Sequence, residues 1–349
     1  MTSGPRRRST RSLPRSGPGP VVWLAVLALA LAGCGGGSST TTAASASGSA
    51  SESVEATPSD TPVADSAGPT VPAVTKPVRT TGIGVSVTGD VGQKPALTVP
   101  ASSAPPGLKV EVLVAGTGAA VAKGQTMVAN YLGQTWTPTG GKVNVFDNSY
   151  DRSSPAAFQI GTGKVIDGWD AGLVGQKTGS RLLLSIPAAQ AYGAATSADN
   201  ALAGQDLLFV VDILGALDAD AAATGAAVTP VPAGFPAIAS VPGKKPSITS
   251  VAGVKPTAQA RSALLVRGTG AVIDPTKHLV LQIVQTDTAT GKQTQGTWGE
   301  GADVVPATDV LTIASALKGQ KVGSRVLAVT ATSSSSESVV VILDVIAQY

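Results

Sequence analysis

A chain of 349 residues whose one cysteine is Cys34 can close no disulfide within itself and can build no thiolate metal site. Its one histidine, His278, makes a histidine metal centre or a Ser-His-Asp triad improbable. Charged residues make up 13% of the chain and balance to +3, so the basic field that nucleic-acid binding requires is missing. Seven of the 25 Lys and Arg residues (Arg6, Arg7, Arg8, Arg11, Arg15, Lys76 and Arg79) precede residue 80, which leaves the remainder close to neutral. The one long N-terminal apolar run, VVWLAVLALAL, has 11 residues and is too short to span a bilayer, which takes about 20. Aromatic residues are also few. With 12 Phe, Trp and Tyr in all, any place where they gather is informative.

What is present begins with a processing signal. The arginine-rich opening followed by that short apolar run has the form of a secretory leader. Leu31-Ala32-Gly33-Cys34 follows directly and resembles the lipobox of bacterial lipoproteins. The resemblance implies that residues 1–34 are a lipoprotein signal and that Cys34 is lipidated and becomes the new N-terminus. The expected localisation is export, with the chain lipid-anchored to the outer face of the cell membrane and touching the membrane through that anchor alone. Residues 35–80 are Ser, Thr, Ala, Gly and Pro with almost no large apolar side chain, which predicts a disordered tether. As a coil it reaches roughly 35–40 Å.

Beyond the tether the chain repeats itself. Pro95 of QKPALTV and Pro246 of KKPSITS lie 151 residues apart, and Gly116 and Gly268 of the two Gly-Thr-Gly segments 152 apart. The interval shrinks to 144 between Gly175 and Gly319, which open GQKTGSR and GQKVGSR, and to 132 between Asp212 and Asp344 in the closing strands. The second copy has therefore lost about eight residues and then about twelve more. Between the copies, residues 218–231 read as an Ala, Thr and Pro linker.

Each copy reads mainly as strand: LKVEVLV, TMVANYLG, SRLLLSIP and DLLFVVDIL are β-branched or alternating runs bounded by Gly and Pro. DGWDAGLVGQ differs. It places Trp169 and Leu173 at i and i+4 on one face and ends in glycine, which predicts a short helix. The fold class is α+β.

VANYLG, FDNSYDR, IGTGKVIDGWDAGLVGQKTGSRLLLSIPAAQAYG and LLFVVDIL resemble, in order and nearly without gaps, the FKBP-type peptidyl-prolyl cis-trans isomerases. The likeness runs over residues 107–217 of a first domain at 81–217, with a degenerate FKBP-like domain at 232–349. It implies an antiparallel half-barrel sheet wrapped around a short helix in each, and a role in folding extracytoplasmic proteins. The resemblance places catalytic roles on Tyr131, Asp147 and Tyr192, and a proline pocket on Phe146, Phe158, Val165, Ile166, Trp169 and Phe209. Six of the 12 aromatic residues fall in that set. It implies no metal and no cofactor; the expected partners are proline-containing protein segments and possible macrolide ligands. Two departures, Ala156 where an aromatic is usual and a loop at 194–205 lacking Ile-Pro, leave one wall open.

Plainer readings stand beside these. Trp169 and Leu173 also suit an ordinary core, Asp147 a turn, and Arg152 a structural partner for a nearby carboxylate. GTGAAVAKG lacks the strand-loop-helix context and the ending of a phosphate loop. A module that captures proline segments or acts as a holdase would use the same pocket, because binding ground and transition states equally gives affinity without rate. A structural envelope protein with two inert β-domains is the third possibility. In the second copy Ile283 aligns with Tyr131, Ile313 with Trp169, and TSSSSES with AQAYGAATS. That copy is expected to keep the fold without the reaction, and its removal to leave the rate of the first unchanged.

Overall fold

The computed structural model describes residues 79–80, 82–137, 144–193, 200–331 and 338–349. The expectations for the leader, Cys34 and most of the tether, and for TSSSSES up to residue 337, lie outside those residues.

The first sheet is built from β4 (Lys109–Val114), β5 (Thr126–Thr135), β6 (Val145–Asn148), β7 (Ala156–Gln159), β8 (Arg181–Ile186) and β9 (Leu207–Leu217), after β1 (Arg79–Thr80), β2 (Ser86–Thr88) and β3 (Ala96–Thr98), which form a small sheet of their own. Its order is β4-β8-β9-β5, all antiparallel, and the long β5 carries two edge strands in succession. Thr126–Ala129 pair with β7, and Leu132–Gln134 pair with β6. Helix α1 (Asp167–Leu173) lies on the concave face.

Every residue of β8 is buried, although its sequence, RLLLSI, alternates only weakly. The reason is that both faces of the sheet are covered. Leu182, Leu184 and Ile186 join Tyr131, Phe209, Val211 and Ile213 around Trp169 and Leu173 of α1. Leu183, with Leu113, Trp136, Leu208 and Val210, packs on the opposite face against Val85, Val87 and Leu97 of the β2–β3 hairpin.

The second sheet repeats this plan. Its strands are β10 (Ala226–Ala227), β13 (Arg261–Arg267), β14 (His278–Asp287), β15 (Gln293–Gly296), β16 (Asp303–Pro306), β17 (Arg325–Ala331) and β18 (Ser338–Gln348), with helix α2 (Ala307–Ile313) on one face. A hairpin of β11 (Ala237–Ala239) and β12 (Ser247–Ser250) lies on the other. The order β13-β17-β18-β14 matches β4-β8-β9-β5, and β14 carries β16 and then β15 as β5 carries β7 and β6. The segment read as a linker is partly structural: β10 pairs with β13, and Ala223 is buried with its N–H 2.7 Å from Asp344 Oδ2.

The register locates the deletions. Thr126 faces Gln159 in the first sheet as His278 faces Pro306 in the second, so the interval has already fallen from 152 to 147 before the helix. Five residues are thus lost between the paired strands and seven more before the helix, where the interval is 140, and four are regained between the helix and Gly319. In the first sheet residues 160–166 separate β7 from α1; in the second, α2 follows β16 directly. Ile283 faces Leu343 as Tyr131 faces Val211, which equates their places. Ile313, by contrast, ends its helix where Trp169 stands near the start of its own, yet both are buried.

The repeated Gly-Thr-Gly and Gly-Ser-Arg segments are two sides of one contact. A side chain on Gly116 would collide with the Thr178 carbonyl oxygen, and one on Gly268 with that of Val322. Ser180 Oγ and Ser324 Oγ each accept a backbone N–H from that glycine at 2.9 Å. The arginines go further. Arg181 forks onto Asp212 at 2.6 and 2.7 Å and donates to the carbonyls of Gly89 and Gln93 in the β2–β3 turn. Arg325 forks onto Asp344 at 2.5 and 2.6 Å and donates to Val241 and Lys244 in the β11–β12 turn. Those side chains are 2% exposed or less, so the persistence of GSR reflects a buried ion pair tying hairpin to sheet as well as the strand start.

Removing one partner of such a pair strands the other in a dry interior. Arg325→Met should lower the unfolding free energy by about 3–5 kcal/mol. A urea unfolding curve read by far-ultraviolet circular dichroism checks this, and a loss under about 1 kcal/mol would show that the pair does not hold the layers together.

Candidate active site

Four elements bring the aromatic residues together. Tyr131 comes from β5, Phe158 from β7, Trp169 from α1 and Phe209 from β9. Trp169 is the hub: its ring centre lies 4.8 Å from Phe158, 5.2 Å from Phe209 and 5.6 Å from Tyr131, each pair edge to face. Phe146 closes on Phe209 at 5.6 Å and Tyr131 on Phe158 at 5.5 Å. Edge-to-face packing sets the positive rim of one ring against the negative face of the next, which fixes ring directions as well as burying area.

Tyr131, Trp169 and Phe209 are buried, whereas Phe146, Phe158, Val165, Ile166 and Tyr192 are half-buried around them. The rings therefore form a cluster with a buried centre and a half-buried edge. Trp169 Nε1 is buried and has no hydrogen-bond partner among the described residues. Ala156 packs at the edge of the same cluster, as does Ala191 beside Tyr192.

At the rim three polar side chains close a triangle. Tyr131 Oη donates to Asp147 Oδ2 at 2.5 Å, Arg152 Nη2 donates to Tyr131 Oη at 2.9 Å, and Arg152 Nη1 donates to Asp147 Oδ1. The Asp147 and Arg152 side chains are 42% and 48% exposed, so their ion pair is screened and adds little stability; what it fixes is position. Burial first, and then the bond to Asp147, push the Tyr131 phenol well above the ordinary tyrosine range. Its hydroxyl proton is engaged by Asp147, which fixes the direction of the carboxylate. The Tyr192 hydroxyl is likewise raised, by burial and then by the Asp147 charge.

Two supporting residues escaped the sequence reading. Asp170 accepts the N–H groups of Gly161 and Gly163 at 2.6 Å each, which holds the loop that carries Val165 and Ile166. Gly133 lies inside β5, where a Cβ would stand 2.6 Å from Phe209 and 2.9 Å from Phe146. A glycine within a strand often marks such a close approach, and that was the signal available. Arg152, read as a carboxylate partner, has that place.

Residues 118–214, which contain the whole ring cluster and its triangle, match the family model described as FKBP-type peptidyl-prolyl cis-trans isomerase. An FK506-binding protein of Streptomyces anulatus is 37% identical over 123 residues, covering 35% of this chain and 96% of that protein. One from Neisseria meningitidis serogroup B is 37% identical over 108 residues, covering 31% of this chain and 94% of its own length. The crystal structure of AtFKBP13 is 38% identical over 32% of this chain and 94% of its own, with a TM-score of 0.27. The chain belongs to the FKBP-type peptidyl-prolyl cis-trans isomerases. Its activity is accordingly cis-trans isomerisation of prolyl peptide bonds.

Gly133→Ala tests whether the ring positions matter. The added methyl must displace Phe209 or Phe146, so kcat/KM on an X-Pro peptide should fall about tenfold or more, with far-ultraviolet circular dichroism unchanged. A rate within twofold of the parent would show that the rings tolerate displacement.

Proposed function

We propose that this isomerase is exported, lipid-anchored through Cys34, and acts on proline bonds of proteins folding outside the cytoplasm. The anchoring half of that reading is supported by the leader and by LAGC. The pocket half is supported above all by one observation: an aromatic cluster centred on buried Trp169 with Asp147 held at its edge by two donors.

Rotation about a peptide bond meets a barrier of about 18–20 kcal/mol because amide resonance must break, and an uncatalysed X-Pro bond takes tens of seconds or more. No bond to a nucleophile is needed. A twisted amide has lost part of its dipole, so an apolar hollow favours it over the planar form more than water does. Trp169, Phe158, Phe146 and Phe209 seat the proline ring, with Val165 and Ile166 on the adjoining wall. Tyr192 donates to the substrate carbonyl. Asp147, oriented by Tyr131 and Arg152, faces the carbonyl that turns. The second sheet keeps the architecture without the hollow, since Ile283 stands in the place of Tyr131, and it contributes no turnover of its own. The proteins that enter the hollow are proline-containing segments; macrolides of the kind that FKBPs bind would lose contact at the open wall beside Ala156.

A protease-coupled assay with an X-Pro tetrapeptide tests the roles. Tyr192→Phe removes one neutral hydrogen bond and should lower kcat/KM about fivefold, as about 1 kcal/mol implies. Asp147→Val removes a charged partner and should cost about tenfold or more. Equal rates in the parent and Asp147→Val would remove the carboxylate from the mechanism.

Anchoring is tested separately. Cys34→Ser should abolish detergent-phase partitioning and leave the precursor uncut at this site; unchanged partitioning with an unchanged mature mass would sink the lipoprotein reading.

A further inference from the structure

The two sheets meet through equivalent faces. On the first, Val128 of β5 is flanked in register by Ala157 of β7 and Gly215 of β9. On the second, Val280 of β14 is flanked in register by Val304 of β16 and Ala347 of β18. Val128, Ala157, Leu214 and Leu217 cluster with Val280, Ala302, Val304, Ala347 and Tyr349. Leu217 and Tyr349 are themselves equivalent, since Leu217 faces Thr126 and Tyr349 exchanges backbone hydrogen bonds with His278. The seam thus has the form of an isologous interface folded into one chain.

Side-chain volume breaks that symmetry. At each flanking position the second face carries the larger residue: Val304 for Ala157, Ala347 for Gly215, Tyr349 for Leu217. A Cβ on Gly215 would collide with the Tyr349 hydroxyl, so the phenol occupies the space that this glycine leaves. Two first faces would leave voids and two second faces would overfill the seam, so the pair that packs is one of each.

This seam backs onto the hollow. Ala157 points into it from β7, a four-residue edge strand whose neighbours Ala156 and Phe158 belong to the pocket cluster on the other face. A second contact reaches the pocket loop. Lys164, next to Val165, donates to the Gly299 carbonyl at 2.7 Å and to Glu300 Oε2 at 2.9 Å. Glu300 is 75% exposed, so the ion pair alone holds little, and the apolar seam must carry the docking.

We propose that the second sheet is a docked buttress of the isomerase hollow, seated by Tyr349 on Gly215 and guided at the rim by Lys164 and Glu300, and that these are positioning residues for the isomerisation. This rests on the reading of the ring cluster as the site. It departs from the sequence expectation that the second copy leaves the first untouched. A short edge strand held by one ladder keeps its place only if something covers its back, and Phe158 moves with it.

The test uses the full chain. Tyr349→Ala should lower kcat/KM on an X-Pro peptide about three- to tenfold and speed amide exchange across residues 156–166, while β4 and β8 keep their protection. Gly215→Ala, which obstructs the phenol from the opposite side, should give the same pattern. Tyr349→Phe, which retains the ring, should stay within twofold of the parent. Rates within twofold of the parent in both Tyr349→Ala and Gly215→Ala, or exchange that rises uniformly through β4 and β8, would overturn the proposal. Asp147→Val on the same peptide separates the two readings: if it retains the full rate, the assignment of the hollow has failed, whatever the seam variants show.

Discussion

A guanidinium and a carboxylate buried together in each sheet are the constraint around which the rest is arranged. Arg181 with Asp212, and Arg325 with Asp344, join the two central strands of their sheets by a forked ion pair and send the remaining donors into a hairpin turn beyond the sheet. A buried pair of this kind contributes little net stability over apolar residues, because desolvation offsets attraction. What it does is forbid alternatives. Any register or layer arrangement that separates the partners strands a charge in the interior, so the hairpin can cover its sheet in one way only. Tyr150, whose hydroxyl donates to Asp212 at 3.0 Å, extends the same cluster toward the segment that carries Asp147 and Arg152.

With the outer layer fixed, the concave face is free to serve chemistry. The proposed isomerisation needs an apolar site that admits a proline ring, in a protein interior that normally packs closed. Edge-to-face rings supply the rigidity: each of the four rings Tyr131, Phe158, Trp169 and Phe209 comes from a different element, and Trp169 touches the other three. The polar triangle stands at the edge of the cluster, where Asp147 and Arg152 are partly exposed.

The second sheet shows how much of this plan is scaffold. It retains the strand order, the covering hairpin and the ion pair while lacking the ring cluster. Its one tryptophan, Trp298, packs against the cluster under the hairpin, on the face away from α2, so it fills a core and does not rebuild a pocket. Its larger side chains fill the seam against the first sheet.

Much of this was legible beforehand. The helix of DGWDAGLVGQ and the four strand runs follow from local spacing, which survives in a linear string, the double copy from matched segments, and the six aromatic positions from the family resemblance. The covering hairpins were visible only as an unexplained match between QKPALTV and KKPSITS, since strands this short carry no pattern of their own. Which arginine meets which aspartate, that Gly133 must be bare because two rings stand over it, and that Gly215 leaves room for Tyr349 depend on partners 13 to 134 residues away in the chain. Sequence by itself determined the elements, the repeat and the family likeness, because those are read from the order and spacing of residues along the chain. Tertiary structure alone decided the triangle at the rim, the buried ion pairs and the seam, because complementarity of charge and volume exists only once distant side chains share the same space.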